Sequence, residues 1–193
     1  MPVKPKLNVD EILKAEYNYI ATTIFQANED RSRVASFYFV SVGSLVAAIL
    51  SAIFSVNDLK NVSLAFSGLF VILTILGAVT LAQLARLRAA WHESVEALNE
   101  IKDYYIKHNK EIEPAFKWRL KTLPPTDKPY SIANLMAVEV SLLGAITSAT
   151  SVYFLLTTLG NIAGWGWILI FIILVAGYIS LWRWYKYLLV DNQ

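Results

Sequence analysis

Cysteine is absent from this 193-residue chain. That excludes disulfides, thiolate metal sites, iron–sulfur clusters and thiol redox chemistry together. Histidine is scarce too, with 2 residues, His92 and His108. Both lie outside the apolar blocks, which disfavours haem held between membrane helices. "HESVE" puts His92 and Glu96 at i, i+4 but lacks the second histidine of the zinc-protease pattern, so it reads as a solvated helix face. There is no glycine-rich phosphate loop and no nucleophile elbow. The expectation is a protein that is not an enzyme and carries no cofactor or metal. Charge is also sparse. Charged residues make up 17% of the chain, against about 25% in an ordinary soluble domain. A formal net charge of +2 creates no field that would draw nucleic acid, and no nucleic-acid partner is expected.

Apolar residues are what the chain has in excess, at 56%, with a mean hydropathy of +0.47. They gather in four uncharged blocks. These are "VASFYFVSVGSLVAAILSAIFSV", "VSLAFSGLFVILTILGAVTLAQLA", "VSLLGAITSATSVYFLLTTL" and "IAGWGWILIFIILVAGYISLW". Each is roughly 20 residues or longer, enough for a ~30 Å hydrocarbon core. The fold expected is an all-α integral membrane protein with transmembrane helices at 34–57, 62–85, 131–159 and 162–187. The N-terminal stretch has no short apolar region followed by a small-residue cleavage site. The first block is therefore expected to act as an uncleaved anchor.

Orientation follows from the basic residues. Sixteen of the 17 fall in residues 1–33, in 86–130 or after the fourth block, and Lys60 is the exception. The positive-inside rule places both termini and the middle segment in the cytoplasm, and the expected location is the cell (inner) membrane. Trp165 and Trp167 at one end of the fourth block, and Trp182, Trp184, Tyr185 and Tyr187 at the other, fit two interfacial belts.

Two long helical stretches lie outside the blocks. In the first, Asn8 suits an N-cap, with Asp10 and Glu11 where the helix dipole favours acids. Leu13, Tyr17, Ile20, Ile24 and Ala27 form a seam at spacings of three and four. No Gly or Pro lies between Lys6 and Gly43, so the helix is expected to continue into the first span. In the second stretch Leu84, Trp91, Leu98 and Tyr105 recur every seven, with Leu87, Ser94 and Ile101 between them. Each stretch is about 25 residues, or about 37 Å of helix. The layout expected is two transmembrane hairpins, the first extended by a long antiparallel cytoplasmic stalk. "NEDRSR", residues 28–33, reads as a hydrated boundary belt in which Glu29 and Arg33 suit an ion pair.

From residue 86 to 130 the chain is expected to hold the stalk helix, a short amphipathic helix opened by Pro114, and the extended connector "LPPTDKP". Lys117, Trp118, Arg119 and Lys121 mix basic and aromatic character and suit an anionic lipid surface.

Glu139 precedes an otherwise uncharged run. Counted from the turn at Asn161, it lies at the same depth as Arg183. The two are expected to form a boundary ion pair, with an ion or proton path as the other reading of Glu139. Ala137, Ser141, Gly144, Ser148 and Ser151 form a small-residue face that lets helices pack closely. In the first span Ser41, Ser44, Ser51 and Ser55 suit either a packing seam or a pore wall.

The stretch "EYNYIATTIFQANEDRSRVASFYFVSVGSL", the second block and "LARLRAAWHESVEALNEIKDYYIKH" together resemble SLATT-type bacterial membrane modules. The likeness is one of layout over about the first 110 residues, and two further spans depart from it. It implies a pore in nucleotide-linked conflict systems. The whole chain also resembles bacterial four-span membrane proteins of uncharacterised role. The leading expectation for the whole chain is a non-catalytic oligomeric membrane protein, a pore, effector or scaffold, whose seams with Tyr17, Trp91 and Tyr105 support self-association. The partners expected are the bilayer, further copies of the chain and a cytoplasmic protein met through the stalk. An ion- or proton-coupled transporter using Glu139 and a membrane enzyme without a recognisable motif are the alternatives.

Overall fold

The computed structural model describes residues 8–55, 59–160, 162 and 164–190. All regular structure among these residues is helical, with no strand. Four helices are long and apolar enough to cross a membrane, the mark of a multi-pass membrane protein.

Helix α1, Val9–Ser55, runs 47 residues without a break. The Ile12 N–H donates to the Asn8 carbonyl at 3.2 Å, and the Asn8 side-chain amide donates to Glu11 at 3.3 Å. The first is the opening bond of the helix, and the second ties the Asn8 side chain to the first turn. Helix α2, Leu59–His108, runs 50 residues and closes with Lys107 and His108 at its negative dipole end. Asn109 then caps a 3-10 turn, Lys110–Ala115, its side chain accepting from Glu111 N–H at 3.2 Å. The short helix expected to open at Pro114 is instead this turn, which holds Pro114 near its end. A proline there removes only an N–H that the turn does not use. A second 3-10 turn spans Leu120–Thr122. Helix α3, Ile132–Leu159, starts at Ser131, whose side chain accepts from Asn134 N–H at 3.3 Å. It ends at Gly160, whose φ of +147° suits glycine and few other residues. Helix α4 is Gly164–Val190.

Helix α2 is the hub. It meets α1, α3, α4 and both 3-10 turns, while the backbones of α1 and α4 do not come close to each other among the described residues. The core joins Tyr38 and Val42 of α1, Phe70 and Leu81 of α2, Val140 and Phe154 of α3, and Tyr185 of α4. Phe154 stacks on Phe70 at 5.7 Å and meets Phe66 edge-on at 5.3 Å. The small-residue face of α3 turns inward, with Ala137, Ser141, Gly144 and Ser151 all buried.

Small residues also let hydroxyls bridge α2 and α3. Ser67 Oγ donates to the Ser151 carbonyl at 2.9 Å, and Ser151 Oγ donates to the Ser67 carbonyl at 3.0 Å. Seven residues along α2, the Thr74 and Thr147 hydroxyls meet at 3.0 Å. Such bonds in an apolar surround contribute about 0.6 kcal/mol each and at most about 1.7. Ser67→Ala and Ser151→Ala should therefore each cost about 1 kcal/mol, and the double variant less than their sum. Unfolding of all three variants in detergent measures this coupling, and strict additivity would mean that the two serines do not act together.

Candidate functional site

Glu139 and Arg183 are both exposed, and no ion pair joins them among the described residues. Equal depth did not place them on facing sides. Ala137, Val140, Ser141 and Gly144 define the buried face of α3, and position 139 falls on the opposite side. On α4, Tyr185 and Leu189 are buried one turn apart, and Arg183 points elsewhere. Nor do the first-span serines make a seam within the chain. Ser44 and Ser51 are exposed, while Ser41 is half-buried and donates to the Phe37 carbonyl at 2.8 Å. The side chain of Ser55 lies outside the described set. The face of α1 that packs carries Ala35, Tyr38, Val42 and Ile49.

Among the residues expected to form a stalk, Ile20 and Leu98 are buried, while Leu13, Ile24, Trp91 and Tyr105 are half-buried. Tyr17 is exposed. The basic-aromatic strip divides. Lys117, Trp118 and Lys121 are exposed, whereas Arg119 turns back onto α2. It pairs with Asp103 at 3.2 Å and also with Glu113. These two carboxylates raise the guanidinium above its usual pKa. Arg119 is thus a latch rather than a lipid contact. Arg119→Ala should speed amide exchange across residues 110–122 with little change in global stability, because ion pairs open to solvent contribute little. Exchange confined to wild-type rates there would remove the latch.

The sequence reading missed the most unusual polar cluster. Arg31 of α1 and Arg88 of α2 are only 8% and 5% exposed, and Tyr185 of α4 is 2% exposed. Arg31 was expected in a hydrated belt and Tyr185 in an interfacial one, and both are instead interior. Arg88 Nε donates to the Thr126 carbonyl at 3.0 Å, and its Nη2 reaches the Pro125 carbonyl at 3.5 Å. Its guanidinium lies 4.4 Å above the Trp91 ring. Arg31 donates to the Asn28 side chain, and its buried Nε has no partner. Burial lowers the pKa of Arg31, and the positive Arg88 lowers it further, while Tyr185 acts the other way. Burial likewise lowers Arg88.

The expected Glu29–Arg33 pair does form, at 3.4 Å, and Asp30 lies 3.7 Å from the same guanidinium. Among the described residues, no carboxylate pairs with Arg31 or Arg88. A local signal for their burial does exist. Arg31 falls between Ala27 and Ala35 at intervals of four, and Arg88 follows Ala85 and precedes Ala89. Alanines bracketing a charge on one face let a neighbouring helix close over it.

Elsewhere the side chains leave an apolar groove of about 310 Å³ between α1, α2 and α3, edged by Val46, Leu143 and Thr150. No group of three or more metal-ligating side chains occurs among the described residues. Compared with protein-family models, with curated proteins and with solved structures, the chain matches none.

Proposed function

We propose that the protein is a non-catalytic membrane protein that works as an assembly of several copies, as a pore, effector or scaffold. In this reading the helices form two transmembrane hairpins, and the first halves of α1 and the second half of α2 make a cytoplasmic stalk. The lengths support it. At 47 and 50 residues, α1 and α2 each reach about 70 Å or more, over twice a ~30 Å hydrocarbon core. The one-sided Lys and Arg distribution supports termini in the cytoplasm.

The observation that carries the assembly is the outer face of α1. Opposite the side that packs on α2, Ile12 and Tyr19 are exposed seven residues apart, and so are Phe37, Ser44 and Ser51. Residues 19 and 37 are five helical turns apart, so the two sets share a side, apolar in the proposed stalk and, after Phe37, small in the proposed span, with the exposed polar Gln26 and Arg33 between them. Lipid can cover only the second part. Exposed apolar side chains in water mark an interaction surface, and a heptad interval suits a parallel helix of equal length. The α1 of a second copy meets both conditions. The layout likeness to SLATT-type modules points the same way. A pore, if present, would run between copies, because Tyr38, Leu81 and Val140 fill the middle of a single chain.

The absence of cysteine makes the test clean. Single cysteines at Tyr19, Ser44 and Ser51 should form disulfide-linked dimers in native membranes, and one at Ile172 on α4 should not. Native mass spectrometry from lipid nanodiscs should give one defined multiple of the chain mass. A monomer there, with cross-linking equal at Ser44 and Ile172, would overturn assembly and leave a different cytoplasmic protein as the partner of the stalk.

A further inference from the structure

We propose that Arg31 and Arg88 together bind a phosphate group, carried either by an acidic lipid headgroup or by a phosphate from the aqueous side. The charge balance is the starting point. Two guanidiniums from different helices are more than nine-tenths buried, and interior charge is tolerated when it is matched. The acids nearby are paired elsewhere or, like Glu93, turned to the surface. Glu29 and Asp30 are held by Arg33, and Asp103 and Glu113 by Arg119. Asp127, next to Thr126, is exposed.

Donors are also left over. Each guanidinium has five N–H groups. Arg31 uses one group on Asn28 and leaves its Nε bare. Arg88 uses its Nε and one terminal nitrogen on carbonyls. Tyr185 of α4, 2% exposed, lies near enough to both guanidiniums to act on their charge. Guanidinium forks match phosphate oxygens better than ammonium does. Arg31 lies three residues before the first apolar block and Arg88 three residues after the second. In the membrane reading, that is the level of the phosphates of the cytoplasmic leaflet. The lipid source rests on that reading, and the aqueous source does not.

The test uses the full chain, stripped of lipid in a neutral detergent and free of phosphate buffer. Thermal unfolding is followed with added phosphatidylglycerol, phosphatidylcholine or inorganic phosphate. Occupancy of a site at about a hundred times its Kd should raise the midpoint by about 5 °C or more. A rise with phosphatidylglycerol alone assigns a lipid, a rise with inorganic phosphate alone assigns a soluble anion, and a rise with both assigns the phosphate group itself. Arg31→Met should match or exceed wild type without ligand, since it removes an unmatched charge, and should lose the ligand-dependent rise. Arg33→Gln should keep it. Should Arg31→Met not fold, Arg31→Lys serves instead, with binding weakened about tenfold. No rise with either anion, an equal rise with phosphatidylcholine, or a full rise in the Arg31 variant would overturn the site.

Discussion

Gly77→Leu is expected to leave little folded protein, and Gly77→Ala to lower the unfolding midpoint by about 5 °C, from about 1–3 kcal/mol of overpacking. A β-carbon at this position would lie 2.6 Å from Tyr38 Oη and 2.9 Å from its Cζ. Tyr38 is fully buried at the meeting of α1, α2 and α3, so a rigid ring has nowhere to retreat. Gly144 makes a useful contrast. A β-carbon there would meet Leu181 Cδ1 at 2.8 Å, and that is the far end of a side chain that can rotate. Gly144→Ala should therefore cost less than Gly77→Ala.

The phenol itself adds a second variant. The buried Tyr38 hydroxyl makes no hydrogen bond. Thr147 is beside it and is the one group that could accept from it, but the pair does not meet hydrogen-bond geometry. Removing an unsatisfied buried hydroxyl is neutral or stabilising. Tyr38→Phe should hold or raise the midpoint, and should recover part of the loss in Gly77→Ala. Non-additivity measured in the four-member cycle carries this claim. A clear loss in Tyr38→Phe alone would mean that the hydroxyl is partnered and that the clash is not the dominant effect.

Much of the helical layout was legible because it depends on composition along the chain. Four uncharged runs became four long apolar helices, and Asn8 and the small face of α3 sit where local chemistry puts them. Facing could not be read in the same way. Glu139 and Arg183 were matched by counting residues from a turn, which sets depth but not rotation about each helix axis. The serines of α1 show the same limit. Their spacing defines a stripe, and only the position of Tyr38 and Val42 decides that the stripe looks outward. Arg31 went unseen for a different reason. It stands in "NEDRSR", where five polar neighbours suggest water. Burial there is imposed by α2 and α4, from far along the chain. Arg119 lost its expected lipid contact in this way too, to carboxylates on α2 and in the adjoining turn.

Arg88→Ala is the other variant expected to have a large effect, destabilising by several kcal/mol and releasing the connector first. Two forces oppose each other at this residue. Desolvation disfavours the charge, as its lowered pKa reflects, and the like charge of Arg31 stands near enough for Arg88 to lower the Arg31 pKa. Against them stand two carbonyls, Thr126 and Pro125, and the Trp91 ring. A hydrogen bond from a charged donor contributes about 1.5–3 kcal/mol, and a desolvated cation over an indole contributes about 2. Truncation would also take a charged donor from the Thr126 carbonyl, in a segment where the Thr126 side chain is itself buried. The contacts therefore outweigh the repulsion. Amide exchange across residues 123–131 should accelerate before the rest of the protein loosens, since Arg88 is a principal tie between α2 and that segment. Arg88→Lys separates charge from shape. It keeps the cation but loses the bond from Nε and the flat stack, so it should fall between wild type and alanine. If the alanine variant instead proves more stable than wild type, repulsion dominates, and the connector must be held by contacts other than Arg88.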